Sequence, residues 1–159
     1  MSGSGRRARP TAVITLGLLA LVVAGCSGLV EGVPTPSPQD FGGIVTALAS
    51  TGILVASPVS GDAGCSDTSL FGTAIAFGAS GLGVPADAPL QLRVYIFGSV
   101  DTYQRRRADV DRCVAAWATD PTTFETVDAA PYVIAGQGPW PDAFKSAVQA
   151  ALRAAAGGG

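Results

Sequence analysis

Gln91-Leu-Arg-Val-Tyr-Ile-Phe-Gly98 alternates at period two along its whole length. Successive side chains of a strand point to opposite faces, so Leu92, Val94 and Ile96 share one face and Arg93, Tyr95 and Phe97 the other. Directly downstream, Ser99 or Asp101 caps a helix running to about Thr119. Its apolar stripe is Tyr103, Val110, Cys113, Val114 and Trp117, and Pro121 bars continuation. Glu125 to Asp128 reads as brief edge pairing, and Tyr132-Val-Ile-Ala-Gly136 as a central strand. The unit from Gln91 to Gly136 is then β-α-β, which predicts a right-handed crossover between parallel strands.

Upstream, Gly72 to Gly78 reads as a strand in an antiparallel hairpin with residues 91–98, and Ile53-Leu-Val-Ala56 as a shorter one. Ser57 to Asp67 is a polar, glycine-bearing loop that carries Cys65. Asp40 caps a first helix with Phe41, Ile44, Val45 and Leu48 on one face, stopped by Gly52. Pro141 and Asp142 open a last helix, with Phe144, Ala147, Val148, Ala151 and Leu152 as its stripe. The order α-β-β-β-α-β-α predicts an α+β two-layer sandwich: a mixed sheet of three or four strands with helices packed on it. That order is loosely similar to ferredoxin-like sandwiches.

Apolar residues make up 48% of the 159 residues and charged ones 14%, a composition that can bury a core and is neither disordered nor nucleic-acid-binding by bulk charge. Histidine is absent, which removes the usual general base of serine and cysteine nucleophiles and the commonest zinc ligand. Lys145 is the single lysine, and no Ser-x-x-Lys supports it as a base. No catalytic residues, metal or cofactor are expected.

Arg6, Arg7 and Arg9 precede an uncharged run from Thr11 to Ala24, too short to span a bilayer and fitting the core of a secretory signal. The run ends in Leu21-Val22-Val23-Ala24-Gly25-Cys26, which resembles the lipobox of bacterial lipoproteins. The resemblance implies a diacylglyceryl thioether on Cys26 and cleavage after Gly25. The expected division is a signal peptide at 1–25, a lipid anchor and proline-rich tether at 26–39, an extracytoplasmic domain at 40–156 and a glycine tail at 157–159. Pro34, Pro36 and Pro38 favour extended chain, so the 13 tether residues after Cys26 reach roughly 40 Å. Without residues 1–25 the chain carries 7 basic and 12 acidic groups, a net charge of −5 that draws it to neither nucleic acid nor anionic lipid.

With Cys26 lipidated, Cys65 and Cys113 remain. An even number outside the cytoplasm reads as one disulfide, with two buried thiols as the alternative.

Two local strings invite a binding role. Arg105-Arg106-Arg107 fans around its helix at about 100° per residue. Asp101, Asp109 and Asp111 lie within reach for weak ion pairs, and the other reading is a site for anionic headgroups. Ala135-Gly-Gln-Gly-Pro-Trp-Pro141 places Gly136 and Gly138 between a strand and a helix, where glycines can cradle an anion. Trp140 there either packs on Phe144 as a staple or stacks on a ligand such as a glycan. Asp62 and Asp67 lack a calcium loop's dense acidic spacing, and Asp109 and Asp111 diverge too far to act as a catalytic pair.

The expectation is a noncatalytic binding or accessory lipoprotein held on the outer face of the cell membrane by acyl chains on Cys26. Its partner would be an envelope protein or glycan, and nucleic acid is not expected. The alternatives are an envelope component that oligomerises through a sheet face or edge, with Arg93, Tyr95 and Phe97 as the candidate surface, and a hydrolase built on two convergent carboxylates.

Overall fold

The computed structural model describes residues 38–157, all within one compact unit. The expected signal peptide, Cys26 and the expected tether as far as residue 37 lie outside the described residues; residues 38–39, assigned to the tether from sequence, begin α1 instead, so Asp40 is the third residue of that helix and not its cap. The elements are α1 (Pro38–Ser50), β1 (Leu54–Ser60), α2 (Thr68–Phe71), β2 (Ala74–Ser80), β3 (Leu90–Ile96), α3 (Val100–Trp117), β4 (Phe124–Ala129), β5 (Tyr132–Gln137) and α4 (Asp142–Gly157). Among them no helix is long and apolar enough to cross a membrane.

The fold is α+β, as the element pattern predicts, but sheet and layering differ from expectation. One five-stranded sheet runs β1-β2-β3-β5-β4, and every neighbouring pair is antiparallel. The expected parallel pairing of residues 91–98 with 132–136 is therefore corrected: β3 and β5 are neighbours and antiparallel, with Val94 opposite Ile134. The cause is β4. Phe124–Ala129 is a full strand that turns tightly into β5, Ala129 opposite Tyr132, and so reverses the chain once more. The α3 crossover leads from β3 to β4, which run parallel with β5 between them.

Helices cover both faces, giving three layers where two were expected. Leu92, Val94 and Ile96 join Ile75, Phe77 and Ile134 beneath α1 (Ile44, Leu48) and α4 (Phe144, Val148, Leu152). Tyr95 and Phe97 join Ala74, Val133 and Ala135 beneath α3 (Val110, Cys113, Val114) and Leu70 of α2. Tyr95 is 0% exposed, so the face of Arg93, Tyr95 and Phe97 is the second core and no open assembly surface. A strand apolar on both faces is a central one, and β3 sits third of five.

Sequence fixes the ends of these elements. Pro38 stands at the first position of α1, where a missing N–H costs nothing. Ser99 caps α3, its Oγ accepting from the Thr102 N–H at 3.1 Å. β1 runs through the expected loop as far as Ser60, with a bulge between Ala56 and Val59. Gly52 and Gly81 let β1 and the β2–β3 connection meet: a Cβ on Gly81 would lie 2.3 Å from the Gly52 carbonyl oxygen.

Candidate binding cleft

Arg93 is a charged residue in the middle of a central strand, on a face that buries Tyr95 and Phe97. A guanidinium so placed needs partners. Its Nε and Nη2 fork onto Asp62, with contacts of 3.0–3.2 Å. Its plane lies over the Trp117 ring, 4.4 Å from the centroid. The loop after β1 supplies Asp62, and three further contacts fix that loop. Tyr95 Oη donates to the Ala63 carbonyl at 2.8 Å, the Gly64 N–H donates to Asp62 Oδ1 at 2.9 Å, and Cys65 is bonded to Cys113 of α3. Burial of the Tyr95 phenol raises its pKa and keeps it a neutral donor. Gly64 has φ +79°, and a Cβ there would lie 2.6 Å from Trp117 Cδ1 and 2.7 Å from Arg93 Nε, so only glycine allows this closure.

The result is an open cleft of about 510 Å³ lined by Gly61, Asp62, Cys65, Phe71 and Arg93. Phe71, at the end of α2, is 38% exposed. Its ionic groups are one guanidinium and one carboxylate, which can hold a polar ligand by charge-assisted hydrogen bonds.

Of the residues singled out from sequence, Asp62, Cys65 and Arg93 line this cleft, while the arginine triplet of α3 and the glycine turn before α4 lie elsewhere. The disulfide joins Cys65 and Cys113, with Cα atoms 5.3 Å apart. Arg106 pairs with Asp109 and Arg107 with Asp111 along α3, and both also reach out of their helix. Arg106 donates to Ser69 Oγ of α2, and Arg107 Nη2 donates to Asp128 Oδ2 of β4 at 3.0 Å. Tyr103 donates to the same carboxylate at 3.1 Å; burial, then Asp128, raises its pKa. Arg105 donates to Thr102 Oγ1 at 3.3 Å. Arg106 and Arg107 thus clamp α3 to α2 and β4, with their donors turned onto protein acceptors.

The turn before α4 does receive an anion, and it is the chain's own. Glu125 of β4 accepts from the Trp140 N–H at 2.9 Å and pairs with Lys145 Nζ at 2.5 Å. Burial alone would raise the Glu125 pKa, but Lys145 and the Trp140 N–H outweigh it and the net shift is downward. The Gly138 N–H is taken by the Thr123 carbonyl at 3.0 Å. Gly136 and Gly138 admit no Cβ: one would lie 2.3 Å from Leu92 Cδ2, the other 2.4 Å from the Thr123 oxygen. Trp140 is 4% exposed, its ring edge-on to Phe144 at 5.8 Å. The staple reading holds, and the ring offers no face for stacking on a ligand.

Asp62 is held by Arg93, and Asp67 caps α2. No group of three or more acidic or cysteine ligands for a metal occurs among the described residues. Sequence reading does not bring Arg93 to Asp62, although Arg93 in an otherwise apolar strand is the available signal.

These features define a class: a three-layer α+β domain with an antiparallel five-stranded sheet, its β1–α2 loop stapled to the crossover helix by a disulfide. No protein-family model, curated protein or solved structure matches the chain.

Proposed function

We propose that this is a lipid-anchored lipoprotein of the bacterial envelope whose folded domain is a noncatalytic binding or accessory module. The Cys65–Cys113 disulfide carries the reading. A structural disulfide persists in an oxidising compartment, and the Arg-rich start, apolar run and Leu21–Cys26 string supply the export route and the anchor. Each buried methylene adds about 0.8 kcal/mol, and two acyl chains hold where one is marginal. Cys26→Ser should move the protein from the membrane fraction to the soluble one. A variant that still partitions into detergent would remove the anchor from the account.

The exposed β1 edge favours a second reading, self-assembly: Leu54 is 64% and Val59 55% exposed. Pro58 and the bulge beside it guard that edge, as edge strands commonly are. If copies pair there, Leu54→Lys should convert a dimer to a monomer in native mass measurements. A parent chain that is already monomeric would end this reading.

A further inference from the structure

We propose that the Arg93–Asp62 cleft binds a small zwitterion with an apolar side chain, that is, a molecule of the α-amino acid class. The inference deepens the binding-module reading and rests on it. Arg93 is preorganised by the Trp117 stack, the Asp62 fork and the Gly64 closure, so a ligand need not order it. The Asp62 fork uses Nε and Nη2 and leaves Nη1 without a protein acceptor among the described residues. A carboxylate can take those N–H groups. Asp62 is the more open partner, its side chain 42% exposed against 17% for Arg93, and its Oδ2, which accepts only from Nη2, has room for an ammonium group.

The two charges cancel, and that selects the ligand. A simple anion drawn to Nη1 meets the Asp62 carboxylate, and a simple cation drawn to Asp62 meets the guanidinium. A molecule carrying both signs a few ångströms apart satisfies each without repulsion. Phe71 at the rim offers an exposed ring to an apolar side chain, and the open volume suits a small ligand.

The test is a calorimetric titration of the full chain at neutral pH with L-phenylalanine, N-acetyl-L-phenylalanine and L-phenylalanine amide. The amino acid should bind in the millimolar range, as a ligand of this size in an open site allows, and each singly charged derivative about tenfold more weakly. Phe71→Ala should weaken phenylalanine binding about fivefold, and since the ring is 38% exposed the melting temperature should fall by only a few degrees, about 5 °C at most. Equal binding of either derivative, or no heat from phenylalanine at about 10 mM, would overturn the proposal. The titration reads the cleft whether or not Cys26 carries lipid, so its failure and the failure of the anchor are told apart.

Discussion

At the scale of single residues, buried charge is matched acceptor by donor. Glu125 is the clearest case, because an edge-strand carboxylate holds the turn that leads into α4. Its pKa is depressed in the folded chain, so its stabilisation is fully present above the ordinary glutamate value of about 4.5 and is lost as pH falls through the lower folded value. Glu125→Gln keeps an oxygen for the Trp140 N–H and loses the Lys145 pair, which is half open to solvent. It should cost about 0.5–1.5 kcal/mol in denaturant unfolding at pH 7. The gap to the parent should narrow as pH falls below about 4.5 and close once pH is below the depressed folded value. A gap independent of pH would mean that the carboxylate charge is irrelevant. Such partners are invisible in sequence. Spacing along one helix foretold Arg106–Asp109 and Arg107–Asp111, yet nothing in a linear reading brings Asp128 to Arg107 or Asp62 to Arg93.

At the scale of elements, period-two and helical patterns found the parts that bury one apolar stripe or two. β3, β5, α3 and α4 are legible for that reason, and Ser99, one of the two caps the sequence offers for α3, is the one used. β4 reads from sequence as brief pairing because Glu125, Thr126 and Asp128 interrupt its apolar pattern, and only Val127 is buried. Its carboxylates are satisfied by Lys145, Arg107 and Tyr103, contacts that exist only after folding. That one strand changed a parallel crossover into an antiparallel hairpin and reordered the sheet. The four-residue α2 is not legible in the sequence, because so short a helix has no periodicity to read. The disulfide ties the loop beside α2 to α3 across 48 residues of sequence, and closing a loop of that length restricts the unfolded chain by about 4 kcal/mol. Cys65→Ser with Cys113→Ser should lower unfolding stability by that order while α3 and the sheet persist, since Tyr95–Ala63 and Arg93–Asp62 still hold the loop. A loss under about 1 kcal/mol would show that the reduced loop is already constrained when unfolded.

At the scale of the whole molecule, the domain is stapled, layered and acidic, and the export and attachment we propose for it rest on residues 1–26. The cleft and the proposed anchor are separable: one is a matter of Arg93 and its neighbours, the other of the thioether proposed on Cys26. The attachment is tested most directly by the intact mass and N-terminal residue of the chain purified from its native membrane. The account predicts a chain that starts at Cys26, carries the mass of a diacylglyceryl group there, and has no thiol open to alkylation before reduction. A chain starting at another residue, or a bare thiol at position 26, would contradict it.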